Sequence, residues 1–231
     1  MNANPLLALS MEDAKISVLL AVAWGVREIA SAYARRVQRG EAEATRRGYE
    51  GMQRVLDTLE MARRNAGASR AMFLVARNNG GVPKPGCEVK VSIRYEVASD
   101  RTRLIHAQWQ DWLADGPYLK LLTDVASDKG NGVTLSTEHL KPGALKNLYE
   151  SDDHVGSIVP LVGHVCEGHW MAYLSFNFRA RDEAGGTGVE VAPDGTIEPT
   201  VMQREIVVGA ARTIRHILSE YHNVMPTETF K

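Results

Sequence analysis

The residue types best suited to metal or nucleophile chemistry gather in one short part of the chain. They are His154, His164, Cys166 and His169. Imidazole nitrogens and thiolates are ligands that zinc prefers, and a cysteine beside a histidine base can act as a nucleophile. A structural zinc site takes four ligands, and the chain has only two cysteines and no Cys-x2-Cys pair. We therefore expect the polar tip of a β-hairpin here, with a metal or thiol site as the weaker alternative.

A second set of residues could line a pocket for a small molecule between a sheet and its covering helices. Aromatic side chains make apolar walls, and their hydroxyl and indole N–H groups can orient a ligand. The same side chains more often fill a core, which is the alternative interpretation. The candidates come from separate predicted elements and are Asn79, Tyr95, Trp109, Trp112, Tyr118, Trp170 and Tyr173.

The run Asn78-Asn79-Gly80-Gly81 follows an apolar segment that is typical of a strand. Backbone N–H groups in such a loop can cradle a ligand, but a sharp turn accounts for the same residue types, and we favour the turn. The chain has no Gly-x4-Gly-Lys-Ser/Thr motif for nucleotide phosphates. We accordingly expect no catalytic residue, no enzyme activity and no cofactor.

The composition is that of an ordinary globular protein and excludes several function classes. The 231 residues are 44% hydrophobic, and 27 basic against 28 acidic residues leave a formal net charge of -1. Because this balance gives no overall attraction to polyanions, we do not expect nucleic acid as a partner. Two cysteines and the lack of a secretory pattern at the start indicate a cytoplasmic protein that is not secreted.

The N-terminal region has the pattern of a helix that pairs with other copies of the chain. Ser10 and Asp13 resemble a capping box, so the helix should begin there. Apolar residues then recur in steps of three and four, a heptad pattern that favours a homo-oligomer. The apolar run 16–26 is shorter than the roughly 20 residues of a membrane span, although contact with a membrane surface stays open. The predicted interface consists of Ile16, Leu19, Ala23, Val26, Ala30, Tyr33 and Val37.

A second helix is predicted beyond Gly48 and Gly51, which we interpret as a break. Its apolar positions extend over 52–62, and Gly67 suits its C-terminus. Packing of the first helix on its own domain is the alternative to assembly. The predicted division is an N-terminal helical assembly segment over 1–50, a globular domain over 51–225 and a tail over 226–231.

From residue 69 onward, strand and helix patterns alternate. The order predicts an α+β fold: an antiparallel sheet with helices packed at both chain ends, preceded by the long helical region. Within the strand at 169–179, Ala172 and Leu174 should face one side of the sheet, and Met171 and Tyr173 the other. Strands are predicted at 71–76, 89–97, 132–136, 155–165 and 169–179, and a small hairpin at 189–198. Helices are predicted at 109–122, with an interruption at Gly116-Pro117, at 144–149 and at 206–221.

Two stretches carry a resemblance to a known family. His154-Val-Gly-Ser-Ile-Val-Pro-Leu161 and Met171-Ala-Tyr-Leu-Ser175 resemble paired strands of the GAF domain, a small α+β sensor fold. Asn78-Asn79-Gly80-Gly81 and Ser92-Ile-Arg-Tyr-Glu96 are similar to a group of short phage-encoded GAF-like proteins with a helical N-terminal segment. The resemblance covers roughly residues 50–222. It implies a GAF-like fold and a phage origin, with a place in the virion as one location.

Three functions follow as hypotheses. The first is a non-enzymatic GAF-like assembly protein, phage-encoded and a structural or accessory virion component, which oligomerises through its N-terminal helices and meets other proteins of an assembly. The second is a small-molecule sensor with the N-terminal helix as its output. The third is a metalloprotein or thiol enzyme built on the histidines and Cys166. A pocket with convergent polar groups favours the sensor, whereas a filled core favours assembly.

Overall fold

The structure is a computed structural model, and it describes residues 11–77, 88–128, 130–164, 170–181 and 187–221. Within these ranges, the side chains of residues 11–30, Arg35, His164 and Trp170 are not described. The chain divides into two compact units, Met1–Arg47 and Gly48–Lys231. The sheet and the buried side chains described below belong to the second unit.

The first helix, α1, is continuous over Met11–Ala66. The prediction of two helices separated at Gly48 and Gly51 is therefore wrong. Helix-favouring Ala, Arg and Glu residues surround these glycines, and a glycine inside a helix costs only about 1 kcal/mol relative to alanine. The glycines thus weaken the helix without ending it.

The predicted end of α1 near Gly67 is confirmed. Gly67 takes a φ of 71°, a left-handed conformation that glycine adopts without strain. Its N–H donates to the carbonyl of Arg64 at 3.1 Å, and the N–H of Ala68 donates to that of Arg63 at 2.9 Å. This pair of bonds is the Schellman motif, which satisfies carbonyls that a helix end leaves open.

Most residues of the predicted assembly interface belong to 11–30, whose side chains the structure does not describe. The two positions that are described, Tyr33 and Val37, are 71% and 41% exposed. Among the described residues, no helix is long and apolar enough to cross a membrane. The interface itself remains a prediction.

Seven strands form one sheet in which each strand pairs antiparallel with its neighbours. The order across the sheet is β3-β2-β1-β7-β5-β4, and β6 pairs with another part of the long strand β7. Two short strands, β8 and β9, form a separate hairpin. The bounds are β1 Arg70–Arg77, β2 Lys90–Ala98, β3 Trp112–Leu113, β4 Val133–Ser136, β5 Gly156–Val159, β6 Leu161–His164, β7 Trp170–Phe178, β8 Glu190–Val191 and β9 Ile197–Glu198.

The predicted alternation of β7 is confirmed, and it separates two cores. Ala172 and Leu174 lie in one hydrophobic cluster with residues of α1 and the C-terminal helix α4 (Val201–Glu220), for example Leu59 and Ile214. Tyr173 lies in the other cluster, under α2 (Gly116–Ser127) and α3 (Ala144–Ser151). The predicted α+β fold class, an antiparallel sheet with helices from both chain ends, is confirmed.

Two predicted elements have different bounds in the structure. The helix expected over 109–122 begins only at Gly116, because Asp115 caps it by accepting the N–H of Tyr118 at 3.0 Å and Pro117 suits a first turn. The strand expected over 155–165 is divided into β5 and β6 at Pro160, which has no N–H to donate. The small hairpin near 189–198 and the C-terminal helix are confirmed.

Candidate functional site

A small cavity lies between the sheet and the helices α2 and α3. Its volume of about 20 Å³ is enough for one water-sized group. Apolar side chains make up most of its wall, and four hydroxyl groups interrupt it. The lining residues are Met72, Leu74, Ile93, Ile105, Trp109, Tyr118, Leu121, Leu145, Leu148, Tyr149, Val159, Tyr173 and Ser175.

The buried hydroxyl groups at this cavity are linked in pairs. The hydroxyls of Tyr118 and Tyr173 lie 2.7 Å apart, and the Tyr149 hydroxyl donates to Ser157 Oγ at 2.8 Å. Burial raises the pKa of all three tyrosines because a phenolate would lose its hydration. The phenols are therefore neutral at physiological pH, and each keeps a hydrogen to donate.

Asp115 holds together the two helices that cover the cavity. One carboxylate oxygen accepts the N–H of Tyr118 at the start of α2, and the other accepts the N–H of Ala144 at the start of α3, at 3.3 Å. A Cβ at Gly143 would lie 2.7 Å from this second oxygen, so glycine keeps the approach open. One side chain thus fixes both Tyr118 and the helix that carries Tyr149.

A buried ion cluster adjoins the cavity at the start of β1. Arg70 is fully buried, with its Nη2 2.6 Å from Asp152 Oδ2 and its Nε 3.1 Å from Glu96 Oε1. Glu96 also accepts the N–H groups of Ile105 and His106, the shortest at 2.7 Å. Sequence reasoning missed this cluster because its members stand far apart in the chain. Its effect is to fix Ile105 in the cavity wall.

His154 is buried beside this cluster rather than in the cavity wall. Its Nε2 lies 2.7 Å from Ser69 Oγ, which donates in turn to the carbonyl of Asn177 at 3.0 Å. Ser69 Oγ thus has two neighbours within hydrogen-bond distance, His154 Nε2 and the Asn177 carbonyl. Burial, aided by the charge of Arg70, lowers the pKa of His154 to about 4.

The structure describes only some of the residues that were predicted as metal ligands. Cys166 and His169 lie outside the described residues, and so does the side chain of His164. In the part of the chain that the structure describes, no group of three His, Cys, Asp or Glu side chains could hold a metal ion. The metal site therefore stays a prediction that these residues do not test.

The predicted pocket residues do not all meet at the cavity. Trp109, Tyr118 and Tyr173 line it, and Trp112 lies behind them with its ring 4.5 Å from that of Trp109. Tyr95 lies in the other core, where its ring packs against that of Phe73 on the neighbouring strand β1. Asn79 and the side chain of Trp170 fall outside the description.

Tyr149 and Ser175 line the cavity but are not among the predicted pocket residues. Ser175 follows Tyr173 by two positions on β7, so the strand alternation already places both on one face. Tyr149 gives a weaker signal because α3 has only eight residues, too few for a reliable helical pattern.

Comparison with known proteins finds similarity of structure only. No protein-family model and no curated protein matches the chain. A far-red cyanobacteriochrome photoreceptor is 10% identical with a TM-score of 0.47, covering 83% of this chain and 98% of its own. The GAF domain of PixJ from Thermosynechococcus elongatus, in its blue-light absorbing form, is 10% identical with a TM-score of 0.45, covering 76% and 89%. A phycocyanobilin-bound GAF domain from a cyanobacterial phytochrome is 11% identical with a TM-score of 0.43, covering 79% and 97%.

These findings correct the first function inferred from the sequence. The prediction of a phage-encoded assembly protein and virion component is contradicted, because the matching structures are GAF domains of photoreceptors. The narrower phage resemblance is not supported by them either. Phycocyanobilin is bound in the last of these three structures, and any ligand of this chain has to be argued from its own cavity.

Proposed function

We propose that residues 48–231 form a small-molecule-sensing domain and that the long helix α1 is its output element. The observation that carries this proposal is the cavity under α2 and α3, to whose largely apolar wall the buried hydroxyl-bearing residues Tyr118, Tyr149, Tyr173 and Ser175 all contribute. Ligand sites combine apolar walls with a few such polar groups. In a core that served packing alone, phenylalanine at these tyrosines would avoid burying hydroxyls.

The sensing domain, in this proposal, binds its ligand without transforming it. Among the described residues, Ser69 and His154 are a serine and a histidine within hydrogen-bond distance, as a nucleophile and its base would be. Ser69 Oγ also lies 3.0 Å from the carbonyl of Asn177, and its side chain is buried, so a substrate has no access to it. The pair serves to join β1 to the turn that follows α3.

The output would pass through a pairing of α1 with α1 of a second copy. Side chains at 32–34 and 36–43 are exposed although they belong to a helix. A helix without tertiary packing is marginal in water, so a partner helix would stabilise this region. The heptad positions from Ile16 to Val37 supply the apolar seam for that partner.

The test of sensing is a ligand-observed NMR screen of the full chain with a fragment library of neutral, anionic and cationic compounds. Ser175→Leu adds side-chain volume at the cavity wall, and Ser151→Leu adds it at an exposed position as the matched control. We expect binding signals that disappear in Ser175→Leu and persist in Ser151→Leu. A screen without signals, or with signals that both variants keep, would contradict the proposal.

A further inference from the structure

The hydroxyl groups of the cavity offer more hydrogens than their surroundings accept. Tyr118 and Tyr173 are both almost fully buried, and their hydroxyls share one hydrogen bond of 2.7 Å. Because the two hydroxyls carry two hydrogens and form one hydrogen bond with each other, one hydrogen is left without an acceptor among the described residues. A buried polar group in that condition costs stability unless an occupant of the cavity satisfies it.

The other two hydroxyls of the wall have partners. Ser175 Oγ accepts a long hydrogen bond of 3.4 Å from Asn177 Nδ2, and the Ser175 side chain also hydrogen-bonds with Tyr149. Tyr149 donates to Ser157 at 2.8 Å. The donor that the cavity offers is therefore the Tyr118–Tyr173 pair.

The wall carries no formal charge. None of the lining residues is an Asp, Glu, Lys, Arg or His. The charged side chain nearby, Arg70, forms ion pairs with two carboxylates, Glu96 and Asp152, whose charges outweigh its own, although its buried Nη1 has no hydrogen-bond partner among the described residues. An ion placed in this apolar wall would lose its hydration without gaining a counter-charge, at a large cost. The occupant must therefore be neutral.

We propose that the cavity takes a neutral molecule that carries a carbonyl or ether oxygen on a compact apolar body, with the oxygen accepting from the Tyr118–Tyr173 pair. This inference rests on the proposed sensing function and names the ligand class of the same site. Because the cavity holds only a water-sized group as it stands, the apolar body has to displace part of the cover. Leu145 and Leu148 on α3 are partly buried rather than enclosed, so they form the side of the cavity that can yield.

The test uses the full chain and three probes built on a five-membered ring, of which the first two have nearly equal shape. Cyclopentanone has the acceptor oxygen, methylenecyclopentane replaces C=O by C=CH2, and cyclopentanecarboxylate carries a charge. We expect calorimetric titration to show binding of cyclopentanone and none of the carboxylate. Tyr173→Phe should weaken cyclopentanone roughly 3- to 10-fold, the value of one hydrogen bond, and leave methylenecyclopentane unchanged. Tyr221→Phe, remote from the cavity, is the control, and Tyr118→Phe replaces Tyr173→Phe if the latter fails to fold.

Two kinds of outcome would overturn the ligand class without touching the sensing function. One is binding of the hydrocarbon or carboxylate as tightly as the ketone. The other is an equal effect of Tyr173→Phe on ketone and hydrocarbon. If none of the three probes binds, the decision rests on those fragments of the NMR screen whose binding Ser175→Leu abolishes. The proposed ligand class is overturned if most of these fragments are charged or lack an acceptor oxygen. It is supported if most of them are neutral and carry an acceptor. If no ligand of any kind depends on Ser175, the sensing proposal fails as well.

Discussion

His154 makes the stability of the domain depend on pH. Its pKa is about 4 in the folded protein, against 6.5 for an ordinary histidine. Between these values the unfolded chain binds a proton that the folded chain does not, so the free energy of unfolding falls as the pH is lowered through this window. The full loss, reached below the folded pKa, is about 3 kcal/mol from this one group.

His154→Gln should remove this part of the pH dependence, because the amide can still donate to Ser69 but does not titrate. The measurement is the free energy of unfolding in urea at pH 7 and at pH 4 for both proteins. We expect a smaller difference between the two pH values in the variant. His106→Gln changes an exposed histidine and serves as the control. Equal pH dependence in wild type and His154→Gln would show that His154 is protonated without cost.

Arg70 is the side chain whose loss should harm folding most. Arg70→Met would leave the Glu96 and Asp152 carboxylates buried without their cation, and breaking a buried pair in this way costs about 3–5 kcal/mol. Arg181→Met removes the half-buried partner of the exposed Glu190 and should cost less than about 1 kcal/mol. Urea unfolding of both variants gives the comparison. Similar losses for the two would mean that water reaches the Arg70 cluster.

At the scale of elements, local sequence patterns predicted those features that depend on residues close together in the chain. The alternation of β7 placed Tyr173 correctly because one strand face is a property of adjacent residues. The break expected in α1 failed because glycine lowers helix stability by less than its neighbours supply. The Arg70 cluster could not be predicted, since Glu96 and Asp152 meet Arg70 only after β2 and α3 are in place.

The seam of α1 gives a prediction for this element. Leu19→Asp and Val26→Asp together should reduce the native mass of the full chain, because carboxylates buried between paired helices would lack partners. Light scattering after size exclusion measures that mass. Glu41→Asp with Glu43→Asp changes exposed positions of the same helix and should leave the mass unchanged. A wild-type monomer would refute the pairing, and so would an oligomer that the Asp substitutions leave intact.

At the scale of the whole molecule, the hydrophobic core can be described within the second unit by itself. The buried hydrophobic residues that the structure describes run from Val55 to Ile217. A chain that starts at Gly48 should therefore fold and unfold cooperatively, with the same cavity. Circular dichroism during urea unfolding tests this. An unfolded product would show that residues 1–47 are part of the core.

The carboxylate of Glu96 has a kinetic consequence for the loop that it holds. Ile105 N–H and His106 N–H donate to this side chain rather than to a neighbouring strand. Their hydrogens can exchange with deuterium only when the loop separates from Glu96, an opening that also removes Ile105 from the cavity wall. The deuterium exchange rate at these two amides thus reports how often the cavity opens. A ligand bound in the cavity should lower this rate. If the cavity admits no ligand, added compounds should leave the rate unchanged.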